Sequence, residues 1–245
     1  MRCTVTKYLK IVPGTVSDYK TLARFHYRAG KLGPPSAIYK MIDTHPVRSA
    51  MNPAVGIIIY SMPTASVELR NIATEGVFTK LGKSPAMQLV NNNVRVISRV
   101  VIEPRYRGLG LAHRLVSETM SLLDMPYIEA LAVMGRVNPF FEKASMMAFA
   151  GTLPARVVKL KQALEVVGIT EDDYVDIELV DKKLSALTGR EGDFIEAKIK
   201  QLLGAYGRRG RNMPPGMART EMIVSKLGDR PVYYLWRNTK MKMRI

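Results

Sequence analysis

Hydrophobic residues along this chain fall into two rhythms. Val94 to Ile102 is apolar and β-branched at most positions, the pattern of a strand buried on both faces in the middle of a sheet. After a break at Glu103-Pro104, apolar residues recur at 111, 112, 115, 116, 120 and 123, with Thr119 in the same stripe. That spacing predicts a helix over Leu111 to Leu123. Further strands are expected at Val5 to Val12, "SAIYKMID" (Ser36 to Asp43), "PAVGIIIYSMP" (Pro53 to Pro63) and "YIEALAV" (Tyr127 to Val133). Val16 to Tyr27 reads as a helix with Thr15 or Ser17 near its start, and "NPFFEKASMMAF" as another, with Asn138 as N-cap and Pro139 at N1. Between them, Thr64 to Asn93 has no dominant period, and "TKLGKSP" within it reads as a loop.

Strands alternating with helices imply a layered α/β domain over residues 1–150. After Gly151 the pattern becomes helical and basic, and 151–245 reads as an elaboration of the core. Helices are expected at Arg156 to Val167, from "TEDDY" (Thr170 to Tyr174) onward, and at Phe194 to Tyr206. "GRRGRNMPPG" (Gly207 to Gly216) reads as a basic loop. "RPVYYLWRN" near the end reads as a strand, expected to return to the core sheet.

The junction between the most buried strand and its helix carries the first candidate chemistry. It reads Arg105-x-x-Gly108-x-Gly110. Glycines there let the backbone turn sharply and let a ligand approach. The first turn of the helix offers unpaired N–H groups and a positive dipole end, a ready site for phosphate. A P-loop would need a Gly-Lys-Ser/Thr ending, which is missing. The dinucleotide fingerprint needs a third glycine, and only Gly108 and Gly110 fit.

At "VVIEPRYRGLGLAHRLV" the chain resembles the GNAT acyltransferase superfamily. The resemblance spans roughly Val5 to Phe149. It implies a GNAT-like mixed central sheet flanked by helices, in the α/β class, with the helical C-terminal elaboration added. In that family a Q/R-x-x-G-x-G/A loop holds the pyrophosphate of acyl-CoA. The resemblance therefore places acetyl-CoA, or another acyl-CoA, at Arg105, Gly108 and Gly110, with Arg107, Leu109, Leu111 and Ala112 in the same loop and turn. The strand around Val100 and Ile102 would pair with the pantetheine arm. Family members carry Tyr-Glu-Lys-x-Gly-Phe on a later helix, where the tyrosine is a candidate general acid. Here the stretch is "FFEKASM", and Phe141, which has no proton to give, occupies that place. Core packing is the preferred role for Phe141. Asn138 would cap its helix or contact CoA.

Charge changes the expected acceptor. Lys and Arg number 37 against 21 Asp and Glu, giving +16 at pH 7. Such an excess favours encounter with polyanions. "ARFHYRAG" (Ala23 to Gly30) groups His26, Tyr27, Arg24 and Arg28 at the end of the first expected helix, where GNAT proteins build the acceptor side. His26 and Tyr27 are the candidate catalytic pair there, although a histidine near a helix C-terminus is also favoured by the dipole alone. Arg24 and Arg28 are candidate phosphate contacts. Ser98 would sit near the acyl carbonyl if its side chain faces the cleft. Glu68, Glu75 and Glu103 are candidate bases. Arg208, Arg209 and Arg211 would clamp a nucleic-acid backbone or form a solvated loop.

"FHYR", "VGIIIYSMPT", "EPRYRGLG" and "LAVMGRVNPFFEKASM" together resemble GNAT domains fused to ABC-type ATPases and, more distantly, Mom-type phage proteins that modify adenine in DNA. The resemblance implies an acyl-CoA-dependent transferase acting on a nucleic-acid base amine, with DNA ahead of RNA as partner. The alternatives are an N-acetyltransferase for a small-molecule or protein amine, and a non-catalytic module binding nucleic acid or CoA.

Other classes recede. The three histidines lack metal-ligand spacing, so no metal is expected. Cys3 is the only cysteine in this sequence, which excludes an intrachain disulfide and suits a reducing cytoplasm. Met1 to Pro13 has no apolar leader pattern, and no apolar run is long enough to span a bilayer, so no membrane role is expected.

Overall fold

The computed structural model describes residues 4–26, 32–50, 54–65, 67–79, 81–135, 137–151, 153–228 and 231–244. The chain forms two units, Met1–Gly151 with Pro231–Ile245, and Thr152–Arg230. The first holds a seven-stranded sheet in the order β1-β2-β3-β4-β5-β7-β6. Its strands are β1 (Leu9–Pro13), β2 (Pro35–Asp43), β3 (Ala54–Ser61), β4 (Val94–Ile102), β5 (Tyr127–Ala132), β6 (Met147–Phe149) and β7 (Val232–Arg237). Only β4 and β5 pair in parallel; every other neighbour is antiparallel. The parallel pair needs a crossover, and helix α4 (Leu111–Met120) supplies it. This is a mixed α/β sheet flanked by helices.

Both faces of the sheet are covered, which is why β3 and β4 read as continuous apolar runs. On one face the α4 stripe Leu111, Leu115, Val116 and Met120 packs with Ile58, Tyr60, Ile97 and Ile128. The Tyr60 and Thr119 hydroxyls hydrogen-bond there at 2.7 Å. On the other face Leu22, from α1 (Val16–Leu22), packs with Ile57, Ile59 and Val101. Beside it Leu69 of α2 (Glu68–Ala73) and Val90 of α3 (Lys83–Asn93) pack with Val94, Tyr127 and Tyr233. A short helix α5 (Phe140–Lys143) follows β5.

Beneath α2 lies a buried ion pair. Arg70 donates to both carboxylate oxygens of Glu129, at 2.7 and 2.5 Å, and the Tyr233 hydroxyl adds a third bond at 2.8 Å. Burial alone would lower the Arg70 pKa, but the Glu129 carboxylate holds it raised. Burial, and then the same carboxylate, push the Tyr233 phenol upward.

The second unit is helical: α6 (Ala155–Val166), α7 (Ile177–Ala186), α8 (Gly189–Leu203), α9 (Gly207–Arg211) and α10 (Met217–Leu227), around a core that includes Leu160, Ile195, Ile199, Leu202 and Ile223. No helix among the described residues is long and apolar enough to cross a membrane.

Several expected elements are corrected. The first strand starts at Leu9, because its partner β2 ends at Asp43 opposite it; Thr6–Tyr8 is a 3-10 turn. The first helix stops at Leu22 and passes through a 3-10 turn to an extended His26. The expected helix from Asn138 to Phe149 shrinks to four residues. Pro139, not Asn138, takes the N-cap place, and Ser145 turns left-handed at φ 64°. Met147–Phe149 then pairs with β7, so tertiary pairing overrides the helical pattern. "TEDDY" closes a 3-10 turn through a Thr170–Asp173 capping box, and α7 starts beyond it with Asp176 as its cap. Half of the expected basic loop is α9, and α10 goes beyond the elements read from the sequence.

Changing Glu129 to Gln leaves Arg70 buried without its counter-charge and should cost about 3–5 kcal/mol. Replacing the pair together, Arg70→Met with Glu129→Leu, should recover much of that loss in urea melts. If the single change were neutral, the ion pair would not be holding α2 to the sheet.

Candidate functional site

Two features of β4 shape the site. The register with β3 runs Ile59 opposite Arg99, then Tyr60 opposite Ile97, so Ser98 is an extra, bulged residue. The bulge re-phases the strand. Ile97 before it and Val100 and Ile102 after it share the α4 face, while Val101 joins the α1 face. The parallel pairing with β5 then stops. It covers Val94 to Ile97 against Tyr127 to Ala130 and goes no further. Beyond it, Leu131 and Ala132 pair only with β7, and Arg99 to Ile102 pair only with β3. The two strands separate from Ser98 upward, leaving backbone edges that a ligand with amide groups of its own can join.

A cavity of about 230 Å³ opens at this separation, lined by Ser61, Thr64, Ser98, Glu129 and Leu131 among others. The Ser98 and Ser61 hydroxyls share a hydrogen bond of 2.8 Å, and Ser98 also donates to the Ile59 carbonyl at 3.2 Å. Ser98 therefore faces the cavity. Glu129 sits in its wall, already bonded to Arg70 and Tyr233.

At the far end of β4 lies the glycine loop. Gly108 and Gly110 are both left-handed, at φ 81° and 71°. A Cβ at either would meet nothing within 4 Å, so the space beside the loop is open. No side chain caps α4. Among the described residues, the backbone N–H groups of Gly108 to His113 meet no protein acceptor; Arg114 is the first to bond back, to Gly110 at 3.1 Å. The result is a cluster of outward donors at the positive end of a ten-residue helix.

The loop is tied down from beneath. The buried Tyr106 donates its hydroxyl to Asp43 at 3.0 Å. Asp43 also accepts from Arg48 Nε at 2.5 Å and from the His45 amide at 2.9 Å. Burial alone would raise the Asp43 carboxyl; the bonds from Arg48, His45 and Tyr106 outweigh it and hold the group below its ordinary value. Arg105 lies against Glu103 at 2.8 Å. Arg107 reaches back to the carbonyls of Ile102 and Phe25, at 3.2 and 3.0 Å, and so fastens the loop to the segment bearing His26.

The remaining expected residues are placed as follows. Leu111 is buried in the core as the first residue of α4, while Leu109 is exposed at the loop and Ala112 is half-buried. Asn138 is exposed and caps nothing. Phe141 is buried, stacked between Phe140 and Tyr234 at centroid distances of 4.2 and 5.0 Å. His26 closes the 3-10 turn and is not among the described residues lining the cavity. Arg24 lies over the Phe25 ring at 4.7 Å. Tyr27 and Arg28 lie outside the described residues. Arg208, Arg209 and Arg211 are exposed on and at the end of α9, in the helical unit. Of the candidate bases, Glu103 is taken by Arg105 and Glu75 sits in a left-handed turn at φ 52°. Glu129, Arg70 and the Asp43–Tyr106 tie were missed in the sequence. Their partners are 59 to 63 positions apart, so no local pattern marks them.

No protein-family model matches this chain, and no curated protein matches it. Solved structures give partial likenesses. Arabidopsis thaliana NAA60 in complex with acetyl-CoA is 14% identical, with a TM-score of 0.40, covering 58% of this chain and 90% of that one. AtaTR bound with AcCoA is 10% identical, with a TM-score of 0.34, over 59% and 88%. Malonyl-CoA decarboxylase from Agrobacterium vitis is 12% identical, with a TM-score of 0.42, over 97% and 62%.

Positive charge concentrates in the sheet unit. Residues 1–151 and 231–245 hold 23 Lys and Arg against 9 Asp and Glu, a net +14, while 152–230 hold 14 against 12.

Asp43→Asn should cost about 2 kcal/mol through weakened charge-assisted bonds. Because the folded carboxyl titrates below the unfolded one, wild type keeps this contribution above the ordinary carboxylate range and loses it as pH falls through the depressed value. The stability gap between wild type and variant should therefore close on acidification. A gap independent of pH down to 2 would mean the Asp43 charge is not what holds the loop.

Proposed function

We propose that this protein is an acyl-CoA-dependent transferase of the GNAT type. The observation that carries the reading is the row of unpaired amides from Gly108 to His113, set at the end of a strand that is bulged and parted from its neighbour. The amides at Gly108 to Ala112 suit the diphosphate of CoA. The freed edge at Val100 and Ile102 suits the amides of the pantetheine arm. The separation at Ser98 suits the thioester, next to a cavity that can admit an acceptor. There an amine nitrogen attacks the thioester carbonyl, the C–N bond forms, the C–S bond breaks, and CoA leaves as the thiol with the amine's proton. Phe141 cannot give that proton, so catalysis on this reading rests on positioning and on polarising the carbonyl.

The acceptor we propose is an amine on a nucleic-acid base, DNA ahead of RNA. What supports it is the net +14 of the sheet unit. His26 and Tyr27 would stand on the acceptor side, and a base within a duplex would have to be flipped out to reach the cavity. A second reading, a small-molecule or protein amine recognised by a carboxylate, draws on Glu129 in the cavity wall, whose charge Arg70 already balances. The protein would act in the cytoplasm on either reading.

Gly108→Glu should weaken CoA binding about a hundredfold or more, by placing a carboxylate where the diphosphate lies. Calorimetry reads this directly, and unchanged affinity would remove CoA from the loop. His26→Ala should leave CoA affinity intact and lower turnover on the proper acceptor by about a hundredfold; unchanged turnover would return His26 to a structural role. Mass spectrometry of DNA and RNA from cells making the protein should find one acylated base. Unmodified nucleic acid, with acetyl-CoA consumed on free amines or peptides, would select the second reading.

A further inference from the structure

The helical unit contains a cavity of about 830 Å³, larger than the one at the sheet and lined by none of the residues proposed for acyl transfer. It lies among α7, α8, the 211–216 connection and the start of α10, and its size suits a small organic ligand. Its wall mixes apolar side chains such as Leu187, Ile199 and Met213 with charged ones.

The decisive side chain is Arg219, only 5% exposed. One guanidinium nitrogen, Nη2, is bonded to Glu196. Nε is buried without an acceptor, and Nη1 has none among the described residues. A buried guanidinium nitrogen left without an acceptor is costly to keep. The neighbouring groups add donors rather than acceptors. Gly216 and Thr188, the N-cap residues of α10 and α8, both line the cavity, and neither helix has a side-chain cap. Arg211 stands on the same wall with no hydrogen-bond or ion-pair partner among the described residues. The acids there are largely engaged: Glu196 is bonded to Arg219 and paired with Lys200 at 3.5 Å, and Asp181 accepts from the buried Thr220 hydroxyl at 2.6 Å. Asp193 is exposed. Unmet hydrogen-bonding capacity in this cavity is therefore mostly that of donors, set beside an apolar wall.

We propose that this cavity binds a small amphipathic oxyanion, its carboxylate or phosphate held by Arg219 with help from the uncapped helix starts, and its apolar body lying against Leu187 and Ile199. The site is independent of the CoA reading, because every residue in it belongs to the helical unit.

The test titrates the full chain with octanoate, octyl phosphate and 1-octanol by calorimetry, in wild type, Arg219→Met, Ser185→Trp and Gly108→Glu. Ser185 is exposed on the cavity rim, so tryptophan there fills the mouth without disturbing the core. At least one anion should bind about tenfold or more tighter than the alcohol. That preference should vanish in Arg219→Met, all binding should fall in Ser185→Trp, and Gly108→Glu should leave it unchanged. Whichever anion binds more tightly identifies the headgroup. Equal affinity for the alcohol, binding untouched by Ser185→Trp, or no binding of either anion at millimolar concentration would overturn the proposal. Loss in Gly108→Glu alone would place the anion at the glycine loop instead.

Discussion

A backbone N–H group needs a partner, and among the described residues the donors of Gly108 to His113 find none in the protein. Everything proposed about the sheet unit depends on that arrangement. Two left-handed glycines aim the chain so that these donors point outward, and the lack of side chains leaves the space in front of them open. Tyr106, bonded to the buried Asp43, and Arg107, bonded to Ile102 and Phe25, keep the loop from collapsing onto its own carbonyls. Of the two arginines that simple charge arguments would point at a phosphate, Arg107 is engaged in that fastening and Arg105 is paired through Nε with Glu103. An anion proposed to bind at the loop would meet main-chain dipoles, which cost no side-chain entropy to arrange.

The second constraint is the short life of the parallel pair. Four residues of β4 match four of β5, and then the strands part. The Ser98 bulge and the separation act together. The bulge changes which face each later residue of β4 serves, so the strand can continue to pack on both sides while its edge toward β5 stays unpaired. Loop, edge and cavity form a continuous run from the end of β4 down to Ser98. The buried Arg70–Glu129 pair anchors α2 beside that cavity and puts a charge-balanced carboxylate in its wall.

Much of this was legible in the sequence where the signal is local. The strand from Val94, the stripe of α4 and the glycines between them follow from adjacent residues, and the final strand near Val232 follows from its aromatic and β-branched run. What was not legible depends on partners distant in the chain. Nothing near Asp43 announces Tyr106, and nothing near Arg70 announces Glu129. The segment after Phe141 has a helical pattern but pairs with β7, because a strand from the end of the chain is waiting for it. The bulge at Ser98 leaves no mark in a strand that is apolar on both faces, since alternation there carries no information. The helical unit was legible in part as helices, without α9 and α10, and not as a cavity, because Arg219, Glu196 and Asp181 come from three separate helices.

The most direct measurement is the amide spectrum of the isotope-labelled protein as CoA is added. The account predicts that the N–H resonances of Gly108 to His113 shift most, and that their exchange with water slows on binding. Resonances that stay where they are at saturating CoA, or that are already protected from exchange in its absence, would contradict it.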